Sequence, residues 1–284
     1  MKSIKNLKNE MDYLTGFLTM VESYEEIAAL RMRKVKKSIL DRRDFMEGLN
    51  EAFAHISYAY KVYKSSLKGK EKYTVLNTNG KTVSVLLSSN SGLYGDIIIN
   101  TFDLFLRETS KIDTDIVIVG KLGKSMYESV QNKKKYEYFE MSDNEIDNLS
   151  VKKLNEYILE YSNIVVYHGS FESFISQVPA KTEVRVELHK VGDSLLNYDK
   201  NFLFEPSIEK IAEYFEKQVA SLIFEQIVFE SYLSKFASRM VSMDVASDNI
   251  ETKIHKTDIA IKKIKHKDIN VNLNPVIFGG SVWQ

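Results

Sequence analysis

Residues 115–130 read DIVIVGKLGKSMYESV, and this stretch decides how the middle of the chain folds. Four apolar residues follow Asp115 and end at Gly120, which is the pattern of a short buried strand closed by a turn. A helical pattern then covers residues 124–130. A strand, a glycine turn and a helix in direct succession form part of a βαβ unit, so this stretch predicts a parallel sheet.

The Gly-Lys-Ser inside this stretch raises the question of a phosphate-binding loop. Such a loop needs four residues between its first glycine and its Gly-Lys-Ser, so that successive backbone N–H groups can curl around a phosphate. Here only Lys121 and Leu122 separate Gly120 from Gly123, and the position that the loop requires to be glycine is Ile118. We therefore interpret the stretch as a strand-to-helix turn and expect no nucleotide site there.

The alternation of strands and helices continues on both sides of this stretch. It predicts a Rossmann-like α/β domain with a mostly parallel sheet over residues 72–195. The further predicted elements are a hairpin formed by YTVL (73–76) and TVSVLLSS (82–89) around an Asn79-Gly80 turn, helices after Gly95 and over 151–161, and strands over 136–141 and 163–169.

A second glycine-containing turn, NSGLYGD at residues 90–96, also follows a predicted strand and opens a helix. The N–H groups at the start of a helix can hold an anion. More often, glycines at such a turn let a helix and a strand approach closely. The glycines for which a packing role in the α/β domain is expected are Gly92, Gly95, Gly120 and Gly123.

Two long helices are predicted to flank this domain. Steps of three and four residues from Ile4 meet an apolar or aromatic residue at nearly every position up to Tyr60, and a second heptad frame runs from Phe229 to Ile264. We expect an antiparallel two-helix coiled coil, with two ordinary bundle helices as the alternative. The predicted division is 1–62 for the N-terminal helix, 72–195 for the α/β domain, 206–270 for the C-terminal helix and 271–284 for a modified tip.

Composition restricts the possible functions. The 284 residues carry 39 basic and 39 acidic side chains, so no global charge favours nucleic acid or an anionic membrane. The absence of cysteine excludes disulfides and thiolate metal sites. The chain has no run of about 18 apolar residues, and its first residues lack a signal-peptide core, so a cytoplasmic protein is expected. The five histidines are scattered, and we expect no catalytic, cofactor-binding or metal-binding set.

Five segments, in order along nearly the whole chain, resemble the gamma subunit of F-type ATP synthases. FASRMVSMDVASDN (236–249) resembles the family's near-C-terminal motif ASRMxAMxxATxN, and LLSSNSGLYGDIIIN (86–100) resembles its SDxGLCGxxN segment, with Tyr94 where cysteine is common. The other three are the strand, turn and helix of residues 116–130, YHGSFESFISQVPAKTEV (167–184) and LFEPS (203–207).

The resemblance implies a central rotor shaft. In this family the terminal helices stand as an antiparallel coiled coil inside a ring of three alpha-like and three beta-like nucleotide-binding subunits, with the α/β domain at the foot. Rotation of the shaft couples to ATP hydrolysis or synthesis, while ATP and magnesium are bound by the ring. An epsilon-like subunit and a membrane ring or a motility adaptor are implied at the foot, at the inner face of the cell membrane. Nucleic acid is not expected as a partner.

The resemblance also implies where the shaft would meet the ring. The implied contact residues are Leu18, Met20, Arg33, Lys34, Met240, Met243, Lys265, His266, Asn270, Phe278 and Trp283. In the family, basic shaft residues face acidic loops of the catalytic subunits. The basic runs at residues 31–37 and 262–267 fit that role, with a solvated polar face as the alternative.

Some features depart from the family pattern. Gly16 stands where a basic residue is usual, and the chain as a whole is neutral where gamma subunits are commonly basic. Pro275 and the alternating asparagines before it predict that the last helix ends near residue 270 and continues as extended chain. These departures suggest a divergent paralogue from an AT-rich, wall-less bacterium, serving a motor such as one for surface motility, as an alternative to an ordinary ATP synthase. A non-rotary coiled-coil scaffold, whose α/β domain binds a partner protein, is the alternative from another class.

Overall fold

The computed structural model describes residues 3–66, 79–131, 133–184, 205 and 207–279. The chain contains five helices and five strands over these residues. In chain order they are α1 (Ile4–Ser66), β1 (Thr82–Leu87), α2 (Ile97–Thr109), β2 (Asp115–Val119), α3 (Lys121–Glu128), β3 (Tyr136–Phe139), α4 (Asn148–Ile158), β4 (Asn163–Phe171), β5 (Gln177–Val184) and α5 (Ile208–Gly279).

The strands form one sheet in the order β3-β2-β1-β4-β5. The first four strands are parallel, and β5 is antiparallel to β4. In the centre of the sheet Val85 of β1 is in register with Val117 of β2 on one side and Val166 of β4 on the other. After β1 the chain builds β2 and β3 on one side and then crosses to build β4 on the other. The topological switch point therefore lies between the carboxyl ends of β1 and β4.

Aromatic side chains hold the helices against one face of this sheet. Phe105 of α2 and Tyr167 of β4 are fully buried, with ring centroids 5.4 Å apart and an edge-to-face angle of 82°. Tyr127 of α3 packs against Phe105 in the same cluster, with centroids 6.1 Å apart. Such pairs add about 0.5–1.5 kcal/mol to the burial of their area. The predicted α/β fold with a mostly parallel sheet is confirmed.

Two details of the predicted sheet are wrong. The hairpin around Asn79-Gly80 cannot form on β1, because both hydrogen-bonding edges of β1 are taken by the parallel strands β2 and β4. The second error is the omission of β5, because no strand was predicted over Gln177–Val184. Pro179 lies within β5 opposite Gly169, and it is tolerated there because β5 is an edge strand.

The chain forms two compact units, residues 1–29 with 239–284 and residues 30–238. The first unit combines the start of α1 with the second half of α5, as an antiparallel helix pair requires. Its buried apolar side chains follow the predicted heptad seams, and they are Leu7, Val21, Ala28, Met243 and Ile261. In the second unit, Ile56 of α1 packs with Ile208, Ala212 and Val219 of α5. The terminal helices therefore share apolar seams, as predicted.

The predicted end of the last helix near residue 270 is wrong. Helix α5 has 72 residues and continues through Pro275 to Gly279. A proline inside a helix removes one backbone hydrogen bond, which costs about 3 kcal/mol. Each residue added to an existing helix gains a backbone bond without the cost of nucleation, so a long preceding helix favours continuation. The conformation expected for residues 280–284 lies outside the described residues.

Candidate functional site

The carboxyl edge of the sheet is the candidate ligand site of this fold. In doubly wound sheets, ligands bind in the crevice at the topological switch point. Here that crevice lies between Ser88, which follows β1, and Gly169 in the last part of β4. Helix α5 lies over it, and all eight residues from 231 to 238 are buried.

Helix α5 approaches the sheet closely at Gly169. A Cβ atom built there would lie 2.6 Å from the hydroxyl oxygen of Ser234 and 2.8 Å from Cγ1 of Ile97. Real Cβ atoms do not approach other atoms so closely, so only glycine allows α5 and α2 to meet on β4 at this distance. The small side chain of Ser234 is needed for the same reason.

The side chain of Lys235, on α5, contacts the backbone directly after the end of β1. Its side chain is 5% exposed, its Nζ donates a hydrogen bond to the backbone oxygen of Ser88 at 3.1 Å, and it lies 4.2 Å from the ring centroid of Tyr232. The hydroxyl of Ser238, one turn further along, donates to the backbone oxygen of Tyr94 at 2.7 Å. Both contacts bind α5 to the loop between β1 and α2. The ammonium group thus lies where this kind of fold often binds a ligand.

The backbone of the NSGLYGD turn is bound by a carboxylate of the same chain. Asp143 accepts hydrogen bonds from the backbone N–H groups of Asn90 and Ser91, at 2.9 and 2.8 Å, and from the hydroxyl of Ser91 at 2.9 Å. The Tyr232 hydroxyl donates to the backbone oxygen of Ser142, next to Asp143. The carboxylate that this turn holds is therefore the side chain of Asp143, and the possibility of an external anion at these N–H groups is not supported.

A buried histidine precedes Gly169 on β4. His168 is 1% exposed, and burial lowers its pKa below the ordinary value. Its Nδ1 lies 3.1 Å from the backbone oxygen of Gly169, which can only accept, so Nδ1 carries the proton. Its Nε2 then accepts from the hydroxyl of Thr182 at 3.0 Å. Both ring nitrogens are satisfied within the fold, and a neutral imidazole with these partners is a structural group.

Two of the four predicted packing glycines make close contacts. A Cβ atom at Gly120 would lie 2.6 Å from the backbone oxygen of Ser89, and one at Gly123 would lie 2.6 Å from Cβ of Ser88. Gly95 has a φ of 57°, in the left-handed region that favours glycine. At Gly92 an added Cβ would meet nothing within 4 Å, so the structure gives no packing reason for glycine there.

The residues predicted to contact a ring lie along both terminal helices. Met243 is buried in the seam, so its side chain serves the helix pair, while Leu18 and Met240 are half-buried. The exposed side chains in this set are Met20, Arg33, Lys34, Lys265, His266 and Asn270. Phe278 lies within α5 by its backbone, and Trp283 lies outside the described residues. Their contacts with a partner stay predictions.

Metal-ligand clusters and membrane-spanning helices are both absent from the described part of the chain. There, histidine, aspartate and glutamate side chains form no group of three or more that could hold a metal ion. The helices of the same residues include none that is both long and apolar enough to cross a membrane.

Comparison with known proteins decides the family. The family model described as ATP synthase matches residues 3–281. The chain belongs to the ATP synthase family. Curated relatives of this family member include the ATP synthase gamma chains of Buchnera aphidicola subsp. Acyrthosiphon pisum, at 22% identity over 99% of this chain and 98% of the relative, and of Actinobacillus pleuropneumoniae, at 24% identity over 99% of both. The predicted membership of the gamma-subunit family is confirmed.

Solved structures of ATP synthases share the fold of this family member. The rotor of the Euglena gracilis mitochondrial ATP synthase aligns with a TM-score of 0.61 at 15% identity, over 94% of this chain and 98% of that one. The central stalk of the Tetrahymena thermophila mitochondrial enzyme aligns with a TM-score of 0.54 at 17% identity, over 80% and 99%.

The contacts of α5 with the sheet were missed by the sequence reasoning. Tyr232 and Lys235 lie in a segment that was interpreted only as a heptad seam, and Ser238 lies in the segment 236–249 that carries the resemblance, with no contact to the sheet predicted for it. The sequence does contain a signal for these contacts, because polar side chains interrupt the apolar run of this helix segment at Ser231, Ser234, Lys235 and Ser238. Polar side chains with this spacing indicate a helix that packs on more than one side, here against loops as well as against apolar neighbours.

Proposed function

We propose that this chain is the central shaft of an F-type rotary ATPase. One copy turns inside a hexamer of alpha-like and beta-like subunits and couples ATP hydrolysis or synthesis to rotation. The observation that carries the proposal is the pair of helices from the two chain ends, of 63 and 72 residues, which share apolar seams. At about 1.5 Å per residue they are roughly 95 and 110 Å long, far longer than a single domain of this size requires.

The α/β domain serves as the base of this shaft and not as a nucleotide site. Helix α5 occupies the switch-point crevice through Lys235, Ser234 and Ser238, and Asp143 takes the backbone N–H groups of the neighbouring turn. ATP and magnesium then bind to the ring subunits. Four links join residues 230–238 of α5 to the loop after β1, the loop after β3 and the end of β4. These links make the α/β domain and this segment of α5 one body, so force on one is transmitted to the other.

The exposed basic side chains supply contacts with the ring. Arg33 and Lys34 on α1, and Lys265 and His266 on α5, face solvent and are proposed to meet acidic loops of the catalytic subunits. Contacts of this kind steer association and set the register of the partners. The foot of the shaft meets an epsilon-like subunit and either a proton-conducting membrane ring or an adaptor for motility, at the inner face of the cell membrane.

Native mass spectrometry of the tagged chain, purified from its own cells, tests the proposal. We expect one copy with three alpha-like and three beta-like subunits, because a single shaft breaks the symmetry of its ring. A symmetric homodimer, or a complex without nucleotide-binding subunits, would overturn it in favour of a scaffold. The partner at the foot separates the two uses of the rotor: a proton-conducting ring indicates a synthase, and an adaptor of the cell surface indicates a motility motor.

Catalysis by the chain itself has a separate test. The isolated chain is expected to show no ATP turnover. Turnover that is abolished by Lys124→Ala would contradict this expectation, since Lys124 belongs to the Gly-Lys-Ser sequence, which lies within α3.

A further inference from the structure

The Asn79-Gly80 pair lies just before β1, where the predicted hairpin does not form. The chain contains one Asn-Gly pair and one Asn-Ser pair, which are Asn79-Gly80 and Asn90-Ser91. In such pairs the side-chain amide of asparagine can react with the next backbone nitrogen, because a small following residue leaves that nitrogen accessible. The fold gives the two pairs very different surroundings.

The reactive groups of Asn79-Gly80 are open to solvent. Both residues are exposed, and a Cβ atom built at Gly80 would meet nothing within 4 Å. Oδ1 of Asn79 accepts a hydrogen bond from the backbone N–H of Lys81 at 2.9 Å. A bond from a side-chain oxygen to the N–H two residues later is an Asx-turn, and it folds the side chain back along the backbone that contains the Gly80 nitrogen. The same bond draws electron density from the side-chain carbonyl, so Cγ becomes a better electrophile.

The equivalent groups of Asn90-Ser91 are held by hydrogen bonds. The backbone N–H of Ser91, whose nitrogen would have to attack, donates to Oδ2 of Asp143 at 2.8 Å. The side chain of Asn90 is bound at both ends. Its Nδ2 donates to the backbone oxygen of Met141, and its Oδ1 accepts from the backbone N–H of Lys121 at 3.0 Å. Attack at this pair would require these bonds to break.

We infer that Asn79 is a site of spontaneous deamidation. The nitrogen of Gly80 forms a bond to Cγ of Asn79, the bond from Cγ to Nδ2 breaks, and the proton of the Gly80 N–H leaves with Nδ2 as ammonia. Water then opens the resulting five-membered imide at either carbonyl and produces aspartate or isoaspartate at position 79. The reaction needs no enzyme, oxidant or cofactor, and the inference does not depend on the proposed rotor.

The isoaspartate product changes the entry to β1. The N–H of Asn79 donates to the backbone oxygen of Glu160 at 3.0 Å, and the backbone oxygen of Lys81 accepts from the N–H groups of Ser162 and Asn163 at 3.0 and 3.2 Å. Isoaspartate carries the backbone through Cγ and so adds one atom between these two anchors, which then cannot both keep their partners. The modification therefore loosens the contact between the start of β1 and the start of β4.

Storage of the purified full-length chain at mildly alkaline pH tests the site. Samples are digested at intervals, and peptide mass spectrometry with electron-transfer fragmentation distinguishes aspartate from isoaspartate at each position. We expect both products at position 79. We expect a rate at position 90 that is lower by about tenfold or more, which is the factor that one hydrogen bond to a charged group provides. No product at position 79, or equal rates at the two positions, would overturn the inference.

The same measurement in urea separates the effect of the fold from that of the local sequence. Unfolding releases the bonds of Asn90 and Ser91, so the rate at position 90 should rise by about tenfold or more, and the rate at position 79 should rise by less. Equal acceleration at both positions would show that glycine alone causes the difference, and it would overturn the structural part of the inference.

Hydrogen–deuterium exchange tests the effect on β1. In the aged wild-type chain, exchange of the Ser162 and Asn163 amides should rise roughly fivefold, as expected for the loss of one hydrogen bond. The matched variant is Asn79→Gln, whose longer side chain closes a ring much more slowly, and its exchange should not change with age. Freshly prepared Asn79→Asp, which has the charge without the added backbone atom, should exchange as the fresh wild type does. An equal rise in aged Asn79→Gln, or no rise in a wild-type chain that contains isoaspartate, would overturn the loosening of β1.

Discussion

Replacing Gly120 by alanine should strongly destabilise the α/β domain. Gly120 has φ +95° and ψ 142°, a conformation that costs a residue with a side chain about 1–3 kcal/mol. The added Cβ would also lie 2.6 Å from the backbone oxygen of Ser89 and 2.8 Å from its carbonyl carbon and nitrogen. That oxygen already accepts a hydrogen bond from the N–H of Leu122 at 2.8 Å, so the turn cannot move away without breaking it. Overpacking of this kind adds about 1–3 kcal/mol, for a total loss of about 2–6 kcal/mol.

Urea unfolding of the isolated chain gives the free energy, and hydrogen–deuterium exchange of the β1 and β2 amides shows where the loss occurs. The matched control is Gly92→Ala, where the added Cβ meets nothing within 4 Å and the change should stay within about 0.5 kcal/mol. If Gly120→Ala cost less than about 1 kcal/mol, or no more than the control, the reasoning from close approach and backbone strain would be refuted.

Three further changes test other parts of the structure. Ser238→Ala removes the 2.7 Å bond to the backbone oxygen of Tyr94 and should cost about 1–3 kcal/mol in urea unfolding; no change would contradict a role for this bond in holding α5. Gly16→Ala in α1 should raise stability by up to about 1 kcal/mol, because the added Cβ meets nothing within 4 Å; a lower melting temperature would contradict this. Burial lowers the pKa of His168, so as pH falls the unfolded chain takes up this proton before the folded chain does. The free energy of unfolding should therefore fall as pH drops below 6.5 and on through the folded pKa. In His168→Gln the free energy of unfolding should depend less on pH over this range, and an unchanged slope would show that another group causes it.

The sheet shows which elements a local pattern can predict. Strand β2 was predicted with its observed bounds, Asp115–Val119, because a central parallel strand is a continuous apolar run with turn residues at its end. Strand β5 has no such pattern and includes Pro179, because its place at the edge is set by pairing with β4. The predicted hairpin failed for a related reason: an Asn-Gly turn favours local pairing, but β1 gains two parallel neighbours in the centre of the sheet instead.

The helices and the site depend on contacts that are distant in sequence. The heptad frames predicted the buried seam because side chains three and four residues apart share a helix face. The effect of Pro275 on the end of α5 was overestimated, because the long helix before it continues although one backbone hydrogen bond is lost. Lys235 could not be placed, because its partner Ser88 lies 147 residues away and only the folded sheet brings its backbone oxygen beneath α5.

The most direct test of the rotary shaft is to watch it turn. The purified complex is held to a surface through its ring, and a gold bead is attached to an exposed position of the α/β domain such as Ser91. With ATP present, the account predicts rotation in one direction with three pauses per turn, one for each catalytic site. Steady ATP hydrolysis by complexes that contain this chain, with a bead that never rotates, would contradict the claim that the chain is the rotor.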